Sequence, residues 1–360
     1  MPTKNVKAKP KAHKDEPGPS AELDPVDEIL GAVQDAIGAD HAMLLGSDGL
    51  SIKIKGVIST RAIGVDAAIG RGGVPRSRLT IIHGAEGSGK TTLALQIVAE
   101  CQRCNGVAVY IDKEYKLDPE YAKALGVDIG RLIYLQPDHL EGAFAAMETA
   151  ILKMSKLRKV GMIGPMCIIL DSMNAAISKA EFEGEWEDQH YAPQARVFSR
   201  LTPKLMPLVH KEDVSLIWIS QVRQKMNVTF GDKEEVAGGK APKFYASLLL
   251  YVTRLAKEVK EGEAVANKIS VYVKKNQIAP PFKKAECTIV YGKGIDAELS
   301  MLTEGVKRGL VKQSGSWYHF GKQRIGQGLA QSAMSLRDDD DVREKLEKAL
   351  KTLYGWIELE

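Results

Sequence analysis

Gly84-Ala85-Glu86-Gly87-Ser88-Gly89-Lys90-Thr91-Thr92 follows the spacing G-x-x-x-x-G-K-[ST], the pattern of a phosphate-binding loop. The pattern carries weight only between a strand and a helix. Ahead of it, Leu79-Thr80-Ile81-Ile82-His83 is an apolar run suited to a buried parallel strand. Behind it, Leu93-Ala94-Leu95-Gln96-Ile97-Val98-Ala99-Glu100 spaces its apolar residues as a helix does. Glycines let the backbone curl until several N–H groups face one anion. The helix N-terminus adds the positive end of its dipole. In such a loop Lys90 reaches the β- and γ-phosphates and the Thr91 hydroxyl holds Mg²⁺.

Working outward, strand and helix patterns alternate from Ser59 onward, which predicts an α/β sheet of mostly parallel strands. Val107-Ala108-Val109-Tyr110-Ile111-Asp112 is a buried strand that runs into Lys113 and Glu114. Cys167-Ile168-Ile169-Leu170-Asp171-Ser172 also ends in a carboxylate, and Val214-Ser215-Leu216-Ile217-Trp218-Ile219-Ser220-Gln221 ends in an amide. Polar groups at the C-terminal ends of parallel strands are where open α/β sheets bind ligands. Asp171 stands in the Walker B position, a holder of Mg²⁺. Glu114 suits a general base that orients the attacking water, and Gln221 a sensor of the γ-phosphate.

The 360 residues suffice for one large core and a smaller domain. Hydrophobic residues make up 44% and charged residues 27%, the composition of a soluble globular protein. A net charge of +4 names no partner, so any nucleic-acid site must come from local patches. The 4 cysteines, Cys101, Cys104, Cys167 and Cys287, lack a second pair at metal spacing and read as reduced thiols. No apolar run is long enough to span a bilayer, and no apolar signal core opens the chain, which points to the cytoplasm and away from membranes.

Residues 1–20 are polar, with Lys4, Lys7, Lys9, Lys11 and Lys14 among prolines, the composition of a disordered basic tail. Asp24-Pro25 opens a helical pattern of Val26, Ile29, Leu30, Val33 and Ile37. Ser51-Ile52-Lys53-Ile54-Lys55-Gly56-Val57-Ile58 alternates like a half-exposed strand. A helix and strand outside the main repeat suit an arm that docks on a neighbour, or an ordinary packed helix. Two long stretches lack periodicity: Glu181 to His190, with Glu185 and Trp186, and the run from Arg223 through Lys225, Met226, Asn227 and Phe230 to Gly238, Gly239 and Lys240. Such loops are usually functional or disordered. Arg196 and Arg200, with Ser199 between them, lie one helical turn apart on one face. Loops flanked by arginines suggest a strand-like polyanion. Beyond Gly294, a helix over 302–310, a hairpin-like piece over 315–321 and a helix over 342–354 predict a small α/β domain.

Taken in order, Ile58-Ser59-Thr60, the phosphate loop, Asp118-Pro119 with Tyr121, Glu183-Gly184-Glu185, Gly238-Gly239, Lys243-Phe244-Tyr245-Ala246-Ser247, Pro281-Phe282-Lys283 and Ile325-Gly326-Gln327-Gly328 resemble the bacterial-type RecA recombinase family. The resemblance runs from about Asp24 to the end of the sequence. It implies a P-loop NTPase core of RecA type with a twisted, mostly parallel sheet, an N-terminal helix-strand oligomerisation arm and a small C-terminal α/β domain. The expected boundaries are a tail at 1–22, an arm at 23–57, an ATPase core at 58–295 and a duplex-gathering domain at 296–360. The implied activity is ATP hydrolysis coupled to a helical filament of many copies on single-stranded DNA, which pairs with double-stranded DNA and exchanges strands. By position Glu114 matches the catalytic glutamate, and Asp118, Tyr121 and Tyr291 match adenine contacts. Gln221 matches the glutamine linking the γ-phosphate to DNA. The stretch 183–190 matches the first DNA loop and 223–239 the second, with Phe230 its aromatic. Lys243 and Phe244 fall at a subunit contact.

Three departures bear on function. The family's K-N-K motif, whose lysines reach a neighbour's γ-phosphate, reads Lys275-Asn276-Gln277 here. A neutral amide stabilises developing phosphate charge less than an ammonium does. Pro203 replaces an arginine of the DNA-facing helix, with Arg200 one turn earlier as its substitute. The family's acidic tail is reduced to Glu358-Leu359-Glu360, which implies freer capture of duplex. Two rival readings stay open: a ring helicase on the same core, and a nucleotide-stabilised DNA-coating scaffold of low turnover.

Overall fold

The apolar runs become strands because the sheet is covered on both faces. Along Val214–Gln221, Leu216 and Trp218 join one hydrophobic cluster while Ile217 and Ile219 join the other. Side chains alternate across a strand, so a strand buried on both sides must be apolar throughout. The computed structural model describes residues 24–39, 42–45, 54–161, 164–185, 193–224 and 234–356, with the backbone alone at 223, 224, 234 and 235. Two units divide the chain, Met1–Lys53 and Ile54–Glu360.

In the larger unit the main sheet has nine strands. From edge to edge they run Gly294–Ile295, Lys284–Val290, Glu263–Asn276, Leu248–Lys260, Arg78–Gly84, Val214–Gln221, Met166–Asp171, Val107–Asp112 and Leu132–Leu135. The last six are mutually parallel, and the first three continue the sheet antiparallel. Helix Lys90–Arg103 covers one face through Leu93, Leu95, Ile97 and Val98. Helices Leu140–Arg158 and Pro193–Lys211 cover the other through Phe144, Met147, Phe198 and Leu205. There Phe144, Phe198 and Trp218 form an aromatic trio with centroids 5.2–5.9 Å apart. In helix Ile63–Ile69, buried Asp66 accepts from Ser59 Oγ (2.6 Å), Thr60 N (2.9 Å) and Thr60 Oγ1 (2.7 Å). Burial nonetheless pushes its carboxyl up to about 7.

The C-terminal part packs a small hydrophobic cluster of Met301, Leu302, Val311, Tyr318, Leu336, Leu346 and Leu350, joined by Ile63 of helix Ile63–Ile69. Its first helix is Ala297–Lys307, begun earlier than the apolar spacing indicated because Asp296 caps it through Leu299 N at 3.0 Å. The expected hairpin is a three-stranded antiparallel sheet, Val311–Ser314, Trp317–Phe320 and Gln323–Gln327. The third strand is mostly polar and exposed, so no alternation signalled it. Helices Leu329–Asp338 and Asp340–Tyr354 follow, the second capped by Asp339 through Val342 N at 3.1 Å.

In the smaller unit helix Pro25–Ile37 forms as read, with Asp24 accepting from Val26 N at 2.9 Å and Pro25 in the first turn. Of the strand expected over 51–58, the described residues, which belong to the larger unit, form strand at Val57–Ile58, paired there with Val74–Pro75 and buried at both positions rather than alternating. Residues 51–53 and the basic tail lie outside the described residues.

Candidate nucleotide site and the loop segments beside it

The phosphate loop sits where the sequence placed it, between strand Arg78–Gly84 and helix Lys90–Arg103. Gly84 must be glycine because Val252, its partner in register, leaves no room: a Cβ would lie 2.1 Å from the Val252 oxygen. Gly87 and Gly89 take φ of +65° and +94°, the left-handed region open to glycine. Lys90 is buried and its Nζ donates to Ala85 O at 2.7 Å. Desolvation pulls its pKa down, while Asp171, Glu114 and Glu86 favour its charge. Ser88 Oγ is buried without a hydrogen-bond partner. An orphaned hydroxyl and an ammonium that, among the described residues, donates to a loop carbonyl fit a triphosphate that would supply both with oxygens.

Thr91 Oγ1 donates to Asp171 Oδ2 at 2.8 Å, and Tyr110 OH donates to the same oxygen at 2.6 Å. Burial raises the Asp171 carboxyl, offset in part by these two hydrogen bonds. A hard oxygen pair next to the loop fits Mg²⁺. Glu114 leaves its strand on a tight turn held by Asp112, a buried residue the sequence reading passed over. Asp112 Oδ1 accepts from the N–H groups of Glu114 (2.9 Å) and Tyr115 (2.8 Å). Its Oδ2 accepts from Lys116 N, Leu117 N and Tyr134 OH, each at 3.0 Å. So held, Glu114 Oε1 accepts from Ser172 Oγ and from Gln221 Nε2, the latter at 3.0 Å.

A cavity of about 210 Å³ opens beside the loop. Gly87, Gly89, Lys90, Thr91 and Thr92 line it together with Tyr121, Asn267, Ile269, Ile289 and Tyr291. Tyr121 OH and Thr92 Oγ1 lie 2.7 Å apart. Asp118 does not line this cavity; it caps helix Pro119–Ala124 through Glu120 N at 2.9 Å.

Residues 24–296 match the family described as RecA N-terminal domain, and residues 300–355 match RecA C-terminal domain. Curated proteins named Protein RecA are similar along most of the chain. That of Sinorhizobium fredii is 39% identical over 332 residues, 92% of this chain and 89% of its own. That of Clostridium acetobutylicum is 39% identical over 334 residues, 92% of each chain. That of Nocardia farcinica is 40% identical over 327 residues, 91% of each. This chain belongs to the RecA family. No described helix of this RecA chain is long and apolar enough to cross a membrane.

Beyond this cavity the RecA core holds both ends of the segment between Gln221 and Ala237. Asn174 Oδ1 accepts from Gln221 N at 2.7 Å, and Ser220 Oγ accepts from Ala237 N at 3.0 Å. Between them Arg223–Gln224 pairs antiparallel with Glu234–Glu235, a short stem the sequence did not announce. Lys225, Met226, Asn227, Phe230 and Trp186 lie outside the described residues. Glu185 is exposed at the mouth of the expected first loop. Arg196, Ser199 and Arg200 are exposed on helix Pro193–Lys211, with Arg200 Nη2 3.9 Å from Glu141 Oε1. The helix runs on through Pro203 and Pro207, each of which costs it one backbone bond.

Gly238 and Gly239 take φ of +81° and +77°. A Cβ on Gly238 would lie 2.5 Å from Phe198 Cδ2, so the loop returns hard against the arginine-bearing helix. Gly238→Ala is expected to lower stability by about 1–3 kcal/mol, read as a fall in the denaturant midpoint. Unchanged stability would mean the loop root is not seated on Phe198. Of the expected interface residues, Phe244 is 75% exposed, and Lys275 Nζ donates to Lys243 O (2.9 Å) and Phe244 O (3.0 Å). Desolvation lowers the Lys275 pKa. Gln277 donates its backbone N–H to Ser247 O at 2.9 Å.

Proposed function

We propose that this RecA-family recombination protein hydrolyses ATP in the cavity beside Lys90 and uses the nucleotide to switch its grip on DNA during strand exchange. RecA membership supports DNA binding and filament formation in general. The finer reading rests on one observation: a single oxygen of Glu114 is hydrogen-bonded to the side chain of Gln221, which roots the loop beginning at Arg223. The group suited to placing the attacking water is thereby bonded to the root of the segment suited to holding DNA.

In this reading the loop amides and Lys90 bind the β- and γ-phosphates, and Ser88 donates to a phosphate oxygen. Thr91 and Asp171 would hold Mg²⁺, which supplies charge to neutralise the phosphates when bound. Glu114 trades its bond with Gln221 for the water it orients, and the freed Gln221 amide turns to the γ-phosphate. That movement orders the segment from Arg223 to Gly239, which with Arg196, Ser199, Arg200 and the Glu185 loop grips the backbone of single-stranded DNA. Base edges stay free, so homology with a duplex is read by pairing, and affinity falls steeply with salt. Lys275 and Phe244 face the next copy in a helical filament, with the arm beginning at Pro25 linking copies. The C-terminal part, with the three-stranded sheet, gathers double-stranded DNA. The protein works in the cytoplasm, where DNA damage is repaired.

A joint-molecule assay with homologous single- and double-stranded DNA tests this reading. ATP-dependent joint molecules are expected; closed rings that unwind forked DNA would favour the helicase. Gln277 supports a slow enzyme. Gln277→Lys is expected to raise DNA-stimulated turnover by about tenfold, and equal steady-state rates in the two proteins would remove the amide as the cause.

A further inference from the structure

In Lys275-Asn276-Gln277 the outer positions are the ones expected at a neighbour's phosphate, and Asn276 between them has no part in that expectation. The hydrogen bonds give it one. Asn276 Nδ2 donates to Ile69 O at 2.9 Å, and its Oδ1 accepts from Ile278 N at 3.0 Å and Ala279 N at 3.2 Å. One carboxamide thereby closes the turn that follows strand Glu263–Asn276 and ties it to the last residue of helix Ile63–Ile69, whose carbonyl the helix itself cannot satisfy. That helix is a firm support: all seven of its residues are buried, and Gly64 N donates to Ser300 Oγ at 3.2 Å. Two further contacts tighten the joint. Arg71 Nε donates to Ile278 O at 3.0 Å, and a Cβ on Gly70 would lie 2.8 Å from Ala279 Cβ. Successive side chains leave a strand on opposite faces, so with Asn276 turned to Ile69, Lys275 points the other way. There its Nζ rests on the carbonyls of Lys243 and Phe244, at the surface expected to meet the next copy.

We propose that Asn276 is a positioning residue for ATP hydrolysis, its carboxamide bracing the strand end against helix Ile63–Ile69 so that Lys275 reaches the phosphate held by the next copy from a fixed root. Arg71 braces the same turn from the solvent side. The proposal rests on reading Lys275 as the residue that crosses to that phosphate. An ammonium on a flexible four-carbon stem stabilises a transition state fully only when its backbone root is already in place, because otherwise the reaction step carries the cost of ordering it. With Gln277 neutral, Lys275 is the motif's one cation, so its placement decides the whole contribution.

The test is a double-mutant cycle read by steady-state ATP hydrolysis on single-stranded DNA, with the full chain. Asn276→Ala is expected to lower kcat about tenfold and to leave the KM for ATP within about threefold of wild type. In a Lys275→Ala background the same change is expected to cost less than about twofold, since the group it places is gone. Arg71→Ala, at an exposed side chain where the fold is not at stake, is expected to lower kcat about threefold and to lose that effect likewise when Lys275 is absent. Circular dichroism and the denaturant midpoint measure any loss of fold directly. If Asn276→Ala costs as much without Lys275 as with it, or costs nothing with it, the positioning role is overturned and Asn276 serves the fold alone. Wild-type turnover on DNA in Lys275→Ala overturns the reading of Lys275 itself, and the role of Asn276 with it.

Discussion

Lys90→Ala is expected to abolish nucleotide-dependent filaments on single-stranded DNA and to weaken ATP binding by about a hundredfold or more. The lysine is buried beside three carboxylates, Asp171, Glu114 and Glu86, and its Nζ donates to the Ala85 carbonyl at 2.7 Å. An alanine leaves those carboxylates facing an incoming triphosphate with no intervening cation. Charge-assisted bonds in a partly dry site are worth several times their value in water. The fold should survive, because the helix that begins at Lys90 is held by Leu93, Leu95 and Ile97 rather than by the ammonium. Nucleotide titration reads the first effect, and electron microscopy of protein with oligonucleotide and ATP reads the second. Filaments that form on DNA as well with Lys90→Ala as without it, and only when ATP is present, would detach this loop from the grip on DNA.

What the sequence could and could not announce follows from how far apart the interacting groups lie along the chain. The phosphate loop was legible because all its parts are contiguous and each residue type has a local reason. The central strands were legible because burial on both faces demands unbroken apolar runs, as in Met166–Asp171. Strand-end residues Glu114, Asp171 and Gln221 were legible as a set, since parallel strands bring their C-terminal ends to one edge. Their supports were not. Asp112 organises the turn that carries Glu114 through four successive backbone N–H groups and the hydroxyl of Tyr134, a contact visible only once the neighbouring strand is in place. Asn174 and Ser172 lie just past a strand end and carry no motif, yet they fix Gln221 and Glu114. The glycine pair at 238–239 stood out as glycines, but the reason for Gly238, the ring of Phe198, comes from another helix. Strand Gln323–Gln327 was missed because an exposed edge needs no apolar alternation.

Glu114→Gln and Gln221→Leu, taken together, test the link that the proposed mechanism needs. Glu114→Gln keeps the shape of the side chain and its bond to Ser172 but removes the carboxylate that would take a proton from water. Turnover is expected to fall by about 10²–10⁴-fold, with ATP affinity changed by less than about threefold. Filaments on DNA should then persist longer after ATP is diluted, since release depends on hydrolysis. Gln221→Leu removes the amide that donates to Glu114 Oε1 at 3.0 Å, while its backbone bond to Asn174 remains. Basal ATP hydrolysis is expected to stay within about fivefold of wild type, and its stimulation by single-stranded DNA to be lost. The two predictions separate chemistry from communication: one variant binds DNA without turning over, the other turns over without sensing DNA. Steady-state hydrolysis with and without oligonucleotide, beside gel shifts with ATP and without it, distinguishes them. If Gln221→Leu still hydrolyses ATP faster on DNA, the signal between the two sites passes by a route other than this hydrogen bond, and the strand-end triad is a catalytic arrangement alone.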